Sequence, residues 1–185
     1  MNTASTKMRI APVVLSGRHV RLEPLSMEHL PGLWRAAADP TIFAWYIEQI
    51  GSEDDLRAFI RGALEAQAAG AALPFATVDV HSGQPVGSTR FGNIDRAHRR
   101  VEIGWTWLTT AAQRTAANSE AKYLMLRHAF EVWGCIRVEF KTDSQNERSR
   151  AALLRLGAKE EGTLRNHFIC DTGRYRHSVY YSILD

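Results

Sequence analysis

The chain reads as one α/β domain on a mixed sheet. Three observations predict it: stretches that alternate apolar and polar residues, stretches with apolar residues at helical spacing, and a size suited to a single core. The 185 residues are 45% hydrophobic and 23% charged. A chain of this length buries most of its apolar surface without disulfide or metal staples. The expected order is one strand, two helices, three strands, a helix, a strand, a helix and two strands, about seven strands in all.

Residues 1–12 are expected to be a flexible segment, and 13–185 a single domain. "RHVRLEPL" (18–25) sets Val20 and Leu22 against charged neighbours, the period of a half-buried strand. Ser26 then caps a helix in which Met27, Leu30, Leu33, Trp34 and Ala37 share a face, and Asp39-Pro40 ends it. A second helix runs from Ser52 to Gly70. Its opening "SEDD" places acids where the helix dipole favours them, and Leu56, Phe59, Ile60, Ala63, Leu64 and Gln67 form its buried stripe.

"LPFATVDV" (73–80) and "QPVGSTRFGNI" (84–94) are strands joined by the turn "HSGQ". "RRVEIGWTWL" (99–108) is a third strand, expected to hold Val101, Ile103, Trp105 and Trp107 on one face and Glu102, Gly104 and Thr106 on the other. From Asn118, a helix carries Ala121, Leu124, Met125, His128 and Val132 inward as far as Trp133, and Gly134 closes it. "CIRVEFKT" (135–142) turns Ile136, Val138 and Phe140 inward as a strand. "NERSRAALLRL" (146–156) is a short helix stopped by Gly157. Residues 158–169 and 174–184 pair as antiparallel strands across "CDTGR".

Composition excludes several function classes. A net charge of +3 with interspersed signs suits a small anionic ligand better than a long polyanion, so a nucleic-acid partner is not expected. The apolar stretch "AAGAALPFATVDV" is cut by Gly70, Pro74 and Asp79 and is too short to span a bilayer, so no membrane partner is expected either. Two cysteines without a CxxC pair, and an N-terminus without a signal-peptide pattern, fit a cytoplasmic protein. Cys135 reads as packing at a strand start and Cys170 as a loop residue. His167, Cys170 and His177 match no zinc spacing, and no metal is expected.

The stretch "TTAAQRTAANSEAKYLML" (109–126) places small residues between a strand and a helix. The first-turn N–H groups of a helix lack partners and form an anion site. Gln113, Arg114, Thr115 and Ser119 add an amide, a fixed positive charge and two hydroxyls. The loop has neither the glycines nor the lysine of GxxxxGK[ST], and it lacks GxGxxG, so kinase-like and dinucleotide chemistry are disfavoured.

"VEIGWTWLTTAAQRTAANSEAKYLMLRHAF" followed by "RVEFKTDSQNERSRAALLRLGAKEEGTLR" resembles the GCN5-related N-acetyltransferases, in particular the branch that acetylates ribosomal-protein N-termini. The likeness runs from "LSGRHVRLEPL" to the end of the chain. It implies the GNAT fold: a central, twisted, mostly antiparallel sheet flanked by helices, whose splayed strands form an acyl-CoA cleft. It also implies acetyl-CoA as cosubstrate, held by the loop whose family pattern is Q/R-x-x-G-x-G/A.

That loop here is Gln113, Arg114, Thr115, Ala116, Ala117 and Asn118. Ala116 stands where glycine is usual, and Asn118 where glycine or alanine is usual. If residue 116 needs a positive φ, alanine costs about 1 kcal/mol or more; if it is helical, alanine costs nothing. In "TDSQNERS", Asn146 matches a family residue that lines the cofactor, and Asn146 also suits a helix cap. Ser149 matches the family serine near the cofactor sulfur.

The resemblance further implies direct acetyl transfer to a primary amine, with no acyl-enzyme. Glu102 is the expected base, acting through water, and a backbone N–H near Leu108 would hold the developing oxyanion. Ser149 would donate to the leaving thiolate. His167 is a candidate second proton carrier or acceptor contact. Phe43, Trp45, Tyr46, Trp105 and Trp107 are candidates for an acceptor groove and equally for core. The expected acceptor is a protein or peptide N-terminus, with a small-molecule amine as rival. A catalytically inactive CoA-binding module is the reading from another class. Strands of this family often pair across a dimer, so a homodimer is a further possibility.

Overall fold

The computed structural model describes residues 8–185, so the first seven residues of the expected flexible segment lie outside the description. Met8 is buried, and Ile10 packs against the same core. Eight strands form one sheet in the order β1-β2-β3-β4-β5-β6-β8-β7. They are β1 (Leu15–Ser16), β2 (Val20–Pro24), β3 (Leu73–Asp79), β4 (Pro85–Asp95), β5 (Arg100–Leu108), β6 (Arg137–Asp143), β7 (Lys159–Ile169) and β8 (Tyr175–Leu184). β1 is the strand missing from the sequence reading; at two residues it is too short to show any alternation.

Every pairing is antiparallel except that of β5 with β6, as expected for a mixed, mostly antiparallel sheet. The helices are α1 (Leu30–Ala36), α2 (Glu53–Ala68), α3 (Ala116–Arg127) and α4 (Glu147–Arg155). α1 and α2 cover one face of the sheet through Leu30, Leu33, Leu56, Ile60 and Ala63, packed on Ala76, Val78 and Trp107. α3 and α4 cover the other through Ala121, Leu124, Met125 and Leu153, packed on Phe75, Phe91, Ile103, Val138 and Phe140. Each fully buried Phe or Leu in these layers contributes roughly 1.5–3 kcal/mol.

Local chemistry sets the helix ends. Ser52 accepts from the N–H of Asp55 at 3.1 Å, and the Asp55 carboxylate accepts from the N–H of Ser52 at 2.9 Å, a reciprocal cap on α2. α3 begins at Ala116 rather than Asn118, because the Thr115 hydroxyl accepts from the Ala117 N–H at 3.2 Å and caps the helix there. After Arg127 the helix widens into a π turn, His128–Val132. That change of pitch turns Val132 outward to 62% exposure, against the inward position expected of it. Met27 and Ile136 are likewise exposed rather than inward. Met27 belongs to a separate 3₁₀ turn (Met27–His29), and Ile136 precedes β6.

The largest departure lies in β5. Arg90 pairs with Gly104 and Ser88 with Trp107, so a single β4 residue faces two of β5. Trp105 takes the left-handed φ of 49° at this bulge. An inserted residue shifts the parity of a strand. Val101 and Ile103 therefore face α3, whereas Trp107 packs with α1 and α2, and the expected single face of four residues does not exist.

Candidate active site

β5 and β6 pair over three rungs only, Arg100 with Arg137, Val101 with Val138 and Glu102 with Glu139. Beyond Glu102 the strands diverge, and the bulge at Trp105 bends β5 away. The result is a fork in the sheet, open toward the C-terminal ends of both strands. The loop before α3 and the first turn of α4 stand at its far end.

The loop runs from Leu108 to Ala116 through a 3₁₀ turn, Thr110–Ala112. The left-handed residue in it is Arg114, with φ of 61°, two positions before the alanine of interest. Ala116 is the first helical residue of α3, so its departure from glycine carries no conformational cost. In the first turn the Ala117 N–H is taken by Thr115, while those of Ala116 and Asn118 precede the first i to i−4 bond of the helix. Arg114 and Ser119 are exposed beside them.

Gln113 ties the parts together: its Nε2 donates to the Leu108 carbonyl at 3.0 Å, and its Oε1 accepts from Arg148 of α4 at 3.3 Å. The N–H of Thr109 donates to Val86 of β4 at 2.8 Å. Edges of a strand alternate, so the Leu108 N–H points the other way, toward the fork. Asn146 Oδ1 caps α4 by accepting from the Ser149 N–H at 3.1 Å. Ser149 is half-buried, and among the described residues its hydroxyl makes no hydrogen bond.

At the closed end of the fork, Glu102 is 3% exposed. Its Oε2 accepts from Asn93 Nδ2 at 2.8 Å and lies 3.7 Å from Lys141 Nζ. The Lys141 ammonium also lies 5.3 Å from the Phe168 ring and 5.8 Å from that of Tyr180. His167 belongs to this group; burial, then Lys141 and Arg176, holds its pKa below the ordinary histidine value, so the imidazole is neutral near pH 7. Its Nδ1 is buried without a hydrogen-bond partner among the described residues. The segment between α1 and α2 roofs this group on the α1–α2 face, where it meets the β7–β8 turn beyond the C-terminal end of β6: the Asp171 N–H donates to the Ile47 carbonyl at 3.0 Å, and the Asp171 carboxylate accepts from the Gln49 N–H at 3.0 Å.

The aromatic candidates divide. Phe43 and Trp107 are core, with centroids 5.3 Å apart. Trp45, Tyr46 and Trp105 are half-buried at the roofed end. Cys135 and Cys170 are both buried and free. Among the described residues no three His, Cys, Asp or Glu side chains cluster to hold a metal, and no helix is long and apolar enough to cross a membrane.

Sequence reading missed Arg90 and Arg176, both 8% exposed, and Lys122, 5% exposed. Lys122 of α3 donates to the hydroxyls of Thr106 at 2.5 Å and Thr89 at 3.3 Å, and burial pulls its pKa down to about 7. A lysine on the apolar stripe of a helix, one turn from Asn118, was the signal that could have found it.

A mixed sheet forked between β5 and β6, with the start of α3 at its mouth, is the architecture of the GNAT class. Residues 19–159 match the family described as acetyltransferase (GNAT) domain, and the chain belongs to that family. The crystal structure of a GCN5-related N-acetyltransferase from Brucella melitensis superposes with a TM-score of 0.87 at 29% identity, covering 95% of this chain and 80% of that one. A structure from T. thermophilus, described as a "putative acetyltransferase", gives 0.85 at 38% identity, covering 96% and 92%. The Bacillus subtilis (strain 168) protein named "Putative ribosomal N-acetyltransferase YdaF" is 30% identical over 105 residues, 57% of this chain and 56% of that one. The chain spans about half the length of the curated relatives it matches.

Proposed function

We propose that the chain is a cytoplasmic, acetyl-CoA-dependent N-acetyltransferase that transfers the acetyl group directly to a primary amine, with a protein or peptide N-terminus as acceptor. The observation that carries this reading is the position of Glu102: a buried carboxylate on the last paired rung of the fork. The name of the YdaF relative supports the choice of acceptor. Ala116 and Asn118, the two departures from the family loop, both lie in the first turn of α3, which supports the active reading over a catalytically inactive module.

On this reading the amides of Ala116 and Asn118, with the Arg114 guanidinium, hold the pyrophosphate. When bound, acetyl-CoA supplies a thioester whose C–S bond breaks as the new C–N bond forms. Glu102 takes the proton shed by the amine, through water. The Leu108 N–H donates to the carbonyl oxygen as it gains charge, and the Ser149 hydroxyl donates to the departing sulfur. Asn146 holds the first turn of α4, which carries Ser149. The products are an amide and the CoA thiol, and the protein forms no covalent bond.

Calorimetric titration with acetyl-CoA and desulfo-CoA, beside an Arg114→Ala variant and a release assay for CoA thiol with peptide amines, tests this. Micromolar binding weakened about tenfold in the variant, with amine-dependent thiol release, is the expected result. No binding at millimolar acetyl-CoA would overturn it.

A further inference from the structure

Two buried arginines at the roofed end of the fork have no acid of their own. The Arg90 guanidinium of β4 lies between two rings, 4.8 Å from the centroid of Phe59 and 4.7 Å from that of Trp105, and makes no ion pair among the described residues. Arg176 of β8 donates from Nη1 to the Trp45 carbonyl at 3.3 Å, and its Nε is buried without a partner among the described residues. It likewise makes no ion pair among the described residues.

The two stand in one group of side chains. Arg90 and Lys141 share the ring of Trp105, and Lys141 and Arg176 share that of Phe168. The buried carboxylates nearby are committed: Glu102 to Asn93 and Lys141, and Asp143 to Arg174 at 2.7 Å. Glu48 is exposed. Four cations, Arg90, Lys141, Arg174 and Arg176, therefore meet two buried acids.

Burial pulls the Arg90 pKa down to about 10, which leaves the group charged at neutral pH. A buried charge without a partner costs stability, and folds retain one where a ligand completes the pair. Aromatic faces offset part of that cost, but they leave the in-plane N–H donors of a guanidinium unused.

We propose that Arg90 and Arg176 receive a carboxylate that the acceptor carries close to its amine, while the amine itself lies toward Glu102. The inference rests on the acetyl-transfer reading and narrows it to amines with an acidic neighbour. That chemistry has two sources: an Asp or Glu in the first two positions of a peptide, or the α-carboxylate of a free amino acid. Polyamines and aminoglycosides are disfavoured by like charge.

The test is steady-state kinetics on matched acceptors. Peptides beginning with Asp or Glu, or carrying one second, are compared with their Asn and Gln isosteres, and free amino acids with their amides. The expected result is a preference of at least tenfold in kcat/KM for the acidic member, carried by KM. That preference falls to near parity in Arg90→Gln and Arg176→Gln, and Arg90→Lys regains part of it. Acetyl-CoA titration of each variant reports that the fold is kept. The peptide and amino-acid arms tell the two sources apart. If acidic and neutral acceptors of the parent protein react alike, the carboxylate site is overturned while acetyl transfer stands. If acetyl-CoA binds and no amine reacts, the transfer reading fails and the inference fails with it.

Discussion

The two ends of the fork are made of different material. The mouth, from Leu108 to Ser119 with the start of α4, presents backbone amides, caps and exposed side chains. The roofed end presents buried Glu102, Arg90 and Arg176 and half-buried Lys141, packed among Trp105, Phe168 and Tyr180. On the proposed reading the mouth meets a phosphate group that is the same in every reaction, and amides that a helix start leaves free serve it without side-chain specificity. An acceptor must be chosen, and choosing calls for charged groups in low dielectric, where each interaction counts for more.

Substitutions at the two ends should therefore read out in different parameters. The largest effect is expected for Glu102→Gln. It should lower kcat by about 10²-fold or more at unchanged affinity for acetyl-CoA, the range for loss of a general base. A variant that turns over at the parent rate would remove Glu102 from the chemistry. Next is Gly87→Ala in β4. A Cβ there meets the Trp107 carbonyl oxygen and the Leu108 backbone, so the strand must shift where the loop begins. Overpacking of this kind costs about 1–3 kcal/mol, and denaturant melts should show it together with weaker acetyl-CoA binding. Stability lost without any loss of binding would separate β4 from the mouth.

Ser149→Ala should lower kcat by roughly tenfold, the worth of one hydrogen bond to a developing charge, with acetyl-CoA affinity kept. A change in affinity alone would move Ser149 from the reaction to the binding of the cofactor.

The smallest and slowest-varying effect concerns Lys122, buried against Thr89 and Thr106. Its folded pKa, about 7, is below the ordinary 10.5, so between those values the unfolded chain binds the proton and the folded one does not. Stability contributed by this residue therefore rises with pH through that window. Lys122→Met should gain most over the parent below about pH 7 and lose that advantage toward pH 10, as followed by urea melts across the range. A pH-independent difference would mean that the ammonium stays protonated among the threonine hydroxyls.

How much could be read in advance follows the same division. Gln113, Arg114 and Thr115 are neighbours in the chain, as are Asn146 and Ser149, and a loop before a helix announces its free amides by position alone. Glu102 stood out as the one carboxylate in the strand before the loop. Arg90 and Arg176 gave no such signal. An arginine in a strand ordinarily points to solvent, and only the packing of Phe59, Trp105 and Phe168 around these two shows otherwise.

The sequence by itself determined seven of the eight strands and the four helices, the caps at Ser52 and Asn146, and the family pattern, because periodicity, capping and turn chemistry act over a few residues. Tertiary structure alone decided the bulge at Trp105, the three-rung pairing of β5 with β6, and the meeting of four cations with two buried acids. Parity, register and the balance of buried charge are set between strands far apart in the chain, where no local pattern records them.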